Sequence, residues 1–211
     1  MDERQYDWNP RAGLVVVNQI AAYDEMRRRC PVARSAWNWT VFRHTDIVRI
    51  LDDHETFSNV VSAHLSVPNG MDPPEQTPFR KINERYFTPD RMAGFEPACR
   101  RISRELVAAL PRGEVELVTA LAEDFANNIQ CSFMGWPDSL RVPLRRWTQK
   151  NHNATRAMDR ASMSAVAVVF DGYIREQLRL RREAGARAPH DNTTRLLAET
   201  VGGRPITDEE I

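Results

Sequence analysis

The sequence predicts a mainly α-helical chain with one small β hairpin. Three observations carry that prediction. From about residue 76 onward, apolar side chains recur every three or four positions almost without interruption. One short segment instead alternates aromatic and β-branched residues, Trp37-Asn38-Trp39-Thr40-Val41-Phe42. The composition, 42% hydrophobic with 29 basic against 29 acidic residues, is that of a globular chain and not of a disordered or collagen-like one.

The elements follow in order. The opening, MDERQYDWNPRAG, is charged and lacks the apolar core of a secretory signal, so residues 1–22 read as a loose arm. Residues 20–30 form a short helix stopped by Pro31. The alternating segment gives the hairpin, and Thr45 or Asp46 is placed to cap a helix carrying Ile47, Val48, Ile50 and Leu51. Residues 58–71 have no period, and Pro68, Asn69 and Gly70 mark a loop. A helix bearing Phe79, Ile82 and Tyr86 is expected to close at Pro89, and the next carries Phe95, Cys99, Ile102, Leu106 and Leu110. Gly113 and residues 115–117 suggest a short extended piece. Leu121, Phe125, Ile129 and Phe133 stripe a helix ended by Gly135 and Pro137. Asp138 or Ser139 caps the next, with Leu140, Leu144 and Trp147; a long helix then presents Val166, Val169, Phe170, Tyr173, Ile174 and Leu178. The last, around Leu196 and Leu197, stops at Gly202-Gly203. Thr207 and Glu210 stand at capping-box spacing, a further helix start at residues 207–211.

Several function classes are excluded. Cys30, Cys99 and Cys131 are far apart and unpaired by motif, so neither a disulfide framework nor a zinc knuckle is expected, and a cytoplasmic setting fits. No apolar run spans a bilayer. No H-E-x-x-H, G-x-S-x-G, Walker A or G-x-G-x-x-G motif occurs. The basic residues are almost all arginine, and residues 139–187 are rich in them. That is the pattern of a nucleic-acid face or, more commonly, of the solvated side of long helices.

The segment MDPPEQTPFRK (residues 71–81) stands out. Gln76 and Arg80 are one helical turn apart, opposite Phe79 and Ile82. An amide and a guanidinium so spaced make a two-pronged grip for a carboxylate. An internal ion pair or a plain solvated face has the same spacing.

Four segments, in the same order, resemble the amino-terminal half of bacterial, soluble cytochromes P450. CPVAR (30–34) resembles the turn after the family's first helix, and WTVFRHTDIVRILDDHETFSN (39–59) its strand pair and following helix. MDPPEQTPFRKINERYFTPDRM (71–92) resembles the D-P-P-x-H-x-x-x-R stretch with its Phe-Thr-Pro turn. GRPITDEEI (203–211) resembles the lead-in to the long central helix. The resemblance implies the amino-terminal part of the P450 fold, truncated at the start of the central helix, with residues 23–211 as an incomplete domain.

For the complete protein it implies haem, iron protoporphyrin IX, and a monooxygenase acting on a small hydrophobic substrate with a ferredoxin-type electron donor. Gln76 and Arg80 would then hold a haem propionate; most members carry His where Gln76 stands, and Gln also donates a hydrogen bond. Val60, Val61, Leu65 and Val67, with the stretch near residues 147–164, would line the substrate pocket. Lys81 and Arg85 would lie on the redox-partner surface. No catalytic or metal-binding residue is expected in this chain, because the Cys ligand is expected beyond Ile211. The 211 residues alone are therefore expected to be inactive. Neither a nucleic-acid nor a membrane partner is expected. The alternatives are a helical nucleic-acid or protein-binding module using residues 139–187, or an inactive truncated remnant.

Overall fold

The computed structural model describes residues 7–61 and 66–211, and the chain divides into two compact units: Met1–Ala63 with Gly70–Pro73, and His64–Asn69 with Pro74–Ile211.

The first unit is built on an aromatic cluster. Helices α1 (Gly13–Val17) and α2 (Gln19–Arg29) precede the strands β1 (Val32–Arg34) and β2 (Trp39–Val41) and helix α3 (His44–Asp52). The strands pair antiparallel, Ala33 opposite Thr40. Ser35 closes the hairpin, its hydroxyl accepting from the backbone N–H groups of Trp37 and Asn38. Trp8, Val15, Met26, Ala33 and Phe42 form the buried core. The rings of Trp8, Tyr23 and Phe42 meet edge to face, with centroids 5.1 to 5.6 Å apart. That is the geometry the aromatic quadrupole favours. The expectation of a loose arm over residues 1–22 is therefore corrected for residues 7–22. Trp8 and Val15 are core residues, and the Asp7 N–H donates to the Arg34 carbonyl while its carboxylate accepts from the Arg34 N–H.

Helix α3 begins at His44, with Arg43 in the cap position and no side-chain cap, so neither Thr45 nor Asp46 caps it; Asp46 lies in the first turn, where its charge suits the helix dipole. The loop before the second unit is pinned by Asp72, whose carboxylate accepts from the Ser58 hydroxyl and the Asn59 N–H. Those bonds hold Asp72 below its ordinary carboxylate range, Ser58 foremost.

The second unit is helical. Helix α4 (Gln76–Glu84) buries Phe79 and Ile82. Tyr86 is buried but lies past its end, and Pro89 does not close α4: it opens α5 (Pro89–Ala108), since proline at the first helical position forfeits no needed N–H. Residues 115–117 form no strand. A wide turn, Val118–Ala122, instead leads into α6 (Glu123–Met134).

Gly135 ends α6 with φ 75°, a left-handed conformation that costs side-chain-bearing residues energy. The Trp136 N–H reaches the Cys131 carbonyl and the Gly135 N–H that of Ser132, a Schellman close. A short 3₁₀ turn, Asp138–Leu140, precedes α7 (Arg141–Ala157). Neither Asp138 nor Ser139 caps it through a side chain; Asp138 pairs with Arg141 instead.

Met158 and Asp159 link α7 to α8 (Arg160–Ala184), where the Asp159 carboxylate accepts from Ala161 and Ser162 N–H as the N-cap. A link this short returns α8 alongside α7, with the Trp147 ring stacked on Phe170, centroids 4.2 Å apart, and the indole N–H donating to the Val166 carbonyl.

Helix α9 (Asn192–Leu196) is capped by Asp191, and its first turn locks onto the end of α6: Asn192 donates to the Phe133 carbonyl, and the Thr193 hydroxyl to that of Met134. Gly202 and Gly203 do not stop a helix. Both take positive φ as the turn between strands β3 (Thr200–Val201) and β4 (Arg204–Pro205).

The expected capping box at Thr207 is half formed. Glu210 reaches back to accept from the Thr207 N–H and makes a two-pronged pair with Arg204. Arg204 foremost lowers Glu210 from an ordinary 4.5 to about 2. A lowered carboxylate stabilises the fold above its unfolded pKa, and that contribution drains as pH falls toward the folded value. The Glu210 carboxyl should accordingly titrate near pH 2 by NMR, with Thr207 amide protection fading between pH 4.5 and 2. A midpoint near 4.5 would contradict the pairing.

Candidate functional site

Gln76 and Arg80, the two residues predicted to form a grip, both lie on α4, one turn apart. Gln76 opens the helix, half-buried, and Arg80 follows one turn later on the exposed side. The sequence places them so because Phe79 and Ile82 claim the buried face. Arg80 pairs with Glu84 through Nε alone, at 3.3 Å, with both side chains about 60% exposed. A single long contact between exposed groups is a weak tie. The two terminal guanidinium nitrogens and the Gln76 amide have no acceptor among the described residues. Five N–H donors set in a plane with two nitrogens open suit a carboxylate fork, so these residues fit a propionate.

The other predicted site residues are distributed as follows. Val60 and Val61 belong to the first unit and are 61% and 89% exposed. Leu65 lies outside the described residues. Val67 belongs to the second unit and is half-buried. Lys81 is exposed and without an acidic partner among the described residues. Arg85 is not free in this way: it pairs at 3.0 Å with Glu199, the carboxylate that also accepts from the Tyr86 hydroxyl. Burial, helped by Glu199, pushes the Tyr86 phenol well above its ordinary range, so it remains a proton donor.

Among the described residues no cluster of three metal-ligating side chains occurs. The Cys131 thiol is buried, and that burial pushes its pKa up. Among the described residues no helix is long and apolar enough to cross a membrane.

Two hollows flank the α7–α8 pair. One, about 590 Å³, lies between α6, α7 and α8 and is lined by Ala126, Met134, Leu144, Phe170 and Leu178 among others. The other, about 750 Å³, opens between α7 and α8. Trp147 lines both. Within the arginine-rich stretch, Arg141, Arg145, Arg175, Arg179, Arg181 and Arg182 are each matched to an acidic side chain. About half of the positive charge in this stretch is thus matched within the protein itself. Sequence reading missed Arg146 and Lys150, which remain unmatched among the described residues and line the α7–α8 hollow. The signal available was their i,i+4 spacing around Trp147.

No protein-family model matches the chain. Among curated proteins it is similar to the erythromycin C-12 hydroxylase of Saccharopolyspora erythraea, 30% identical over 199 residues, which covers 88% of this chain and 49% of that protein. It is also similar to cytochrome P450 130 of Mycobacterium tuberculosis, at 28% over 197 residues, 85% of this chain and 48% of that one. The chain thus spans about half the length of the curated relatives it matches. Among solved structures, the open form of cytochrome P450 EryK from S. erythraea superimposes with a TM-score of 0.75 at 27% identity, over 90% of this chain and 51% of the other. Bacillus subtilis PksS, a cytochrome P450, shares the fold with a TM-score of 0.81 at 18% identity, covering 96% of this chain and 55% of that one.

Proposed function

This chain corresponds to the amino-terminal half of a bacterial cytochrome P450, and on that premise we propose that it serves a haem-thiolate monooxygenase that inserts one oxygen atom into a small hydrophobic substrate. The observation that carries the reading is the likeness to the erythromycin C-12 hydroxylase, which runs through 88% of the chain and is not confined to one motif. Bound haem would supply the iron chemistry of dioxygen.

The residues of this chain hold and shape. Arg80 and Gln76 would hold a propionate, the guanidinium and the side-chain amide both supplying N–H donors. Phe79 and Ile82 pack the other face of α4 into the core, so a propionate held there would be held on a fixed helix. The apolar sequence of residues 60–67 is the part that the resemblance assigns to the substrate. Lys81 and Arg85 offer positive charge to an acidic ferredoxin-type donor, Lys81 more freely because Arg85 already neutralises Glu199. The protein works in the cytoplasm.

The test is a visible spectrum of the protein expressed from its complete coding sequence. Reduction under carbon monoxide is expected to give a thiolate-type band; its absence from a haem-loaded sample sinks the reading. The 211 residues alone, supplied with haem, are expected to give no such band. Arg80→Ala should raise the rate of haem loss to apomyoglobin about tenfold, the scale of one charge-assisted contact. Gln76→Ala should raise it less. Haem loss unchanged in both variants would remove the propionate assignment.

A further inference from the structure

We propose that the hollow between α7 and α8 is an amphiphile site in which Arg146 and Lys150 take a carboxylate while the aromatic and aliphatic wall takes its hydrocarbon chain. This deepens the reading above by naming a substrate class, and it rests on that reading only for the statement that what binds here is substrate.

The argument begins with charge. Six cations of the arginine-rich stretch are paired within the protein, four of them through acids on α8 and on residues 191–210. Of those without an acidic partner among the described residues, Arg146 and Lys150 share one helix face, one turn apart, on the rim of a single hollow. The one carboxylate lining that hollow, Asp159, is already engaged. It caps α8, accepts from the Ser162 hydroxyl as well, and is held below its ordinary range by those bonds. Asp159 keeps its charge but pairs with neither cation, so Arg146 and Lys150, one turn apart, repel each other, and an anion arriving between them relieves that repulsion.

The second argument is the wall. Trp147, Ala154, Val166, Val169 and Tyr173 line the same hollow. Trp147 is fixed there by its stack on Phe170 and its bond to the Val166 carbonyl, so the surface is preformed. Val169 remains 49% exposed, apolar area that a hydrocarbon chain would cover. At about 750 Å³ the hollow is of ligand size, neither a crevice for an ion nor a flat protein-docking face. Charge at one rim and an apolar wall beside it select an occupant with the same polarity: a single-chain carboxylate.

The test measures binding of dodecanoate, methyl dodecanoate and dodecyltrimethylammonium to the protein by calorimetry, all below their micellar concentrations. Dodecanoate should bind at least about tenfold tighter than its ester, and the ammonium most weakly. The paired substitution Arg146→Gln with Lys150→Gln should abolish that preference and leave the ester within about twofold of its original affinity. Arg146→Glu with Lys150→Glu should reverse it in favour of the ammonium; both residues are exposed, so neither variant touches the core. Equal binding of acid and ester, or a preference that survives the paired Gln variant, overturns the proposal. So does binding confined to phosphatidylglycerol vesicles, or displacement of dodecanoate by poly-glutamate, which would assign the surface to a membrane or to an acidic protein. A carboxylate preference in a haem-loaded protein lacking the thiolate band would sink the monooxygenase reading and leave this site standing. The band without the preference would sink this inference alone.

Discussion

Replacing Arg181 by alanine should cost the protein about 3–5 kcal/mol, read as a lowered midpoint in urea unfolding. The side chain is 5% exposed and its partner Asp191 12%. Around them every donor of the guanidinium is used: Nε and Nη2 on Asp191, Nη1 on the carbonyl and amide oxygens of Gln177, and Nη2 again on the Gly135 carbonyl. One side chain thus ties α8 to the end of α6 and the start of α9.

Removing it strands a buried carboxylate, and the stranding, not the lost attraction, sets the size of the effect. Exchanging both partners, Arg181→Met with Asp191→Leu, should therefore cost less than Arg181→Ala alone. It still loses the Asp191 cap on Thr194, worth about 1 kcal/mol. A single variant within about 1 kcal/mol of the parent, or a double variant worse than the single, would contradict this account. Gly135 belongs to the same knot. A Cβ there would meet the Asp191 Cβ at 2.2 Å, so glycine is required by both its φ and its neighbour.

Trp8→Ala should be comparably severe for the first unit, about 3–5 kcal/mol, because a ring in edge contact with both Tyr23 and Phe42 leaves a cavity that two rigid neighbours cannot fill. Trp8→Phe should cost well under half of that. The buried indole N–H has no acceptor among the described residues, an unfavourable burial that phenylalanine removes even as it gives up volume. Near-UV circular dichroism and urea midpoints together report both variants. Equal losses for Ala and Phe would show that the N–H is satisfied after all.

The helices from residue 76 on, the strand within the alternating residues 37–42 and the glycine stop of α6 were legible because period, alternation and a left-handed cap are local signals; the strand's partner, Val32–Arg34, was not. The errors have local causes too. Trp8 sits among charged residues, and nothing within MDERQYDWNPRAG reveals that Tyr23 and Phe42 wait for it. Pro89 reads equally as a stop and as a first helical residue, and packing chose the second. Gly202-Gly203 serves a helix end or a hairpin turn, and only the pairing of Thr200 with Pro205 decides.

At the site, the spacing of Gln76 and Arg80 placed both on α4, but it left unsaid that Glu84 would take up only Nε. The free pair Arg146 and Lys150 was invisible in a count of arginines. What distinguishes the two is that both stand unpaired on the rim of one hollow, a property of the fold and not of the string.

Trp147 belongs to both hollows beside α7 and α8, a wall shared by two rooms. The volume on one side is therefore not adjustable without the other: a smaller residue there enlarges both rooms at once, and a guest that tilts the ring in the first reshapes the second. Reshaping by single substitutions is best begun elsewhere, at Ala154 or Val166, which line the 750 Å³ hollow and not the 590 Å³ one.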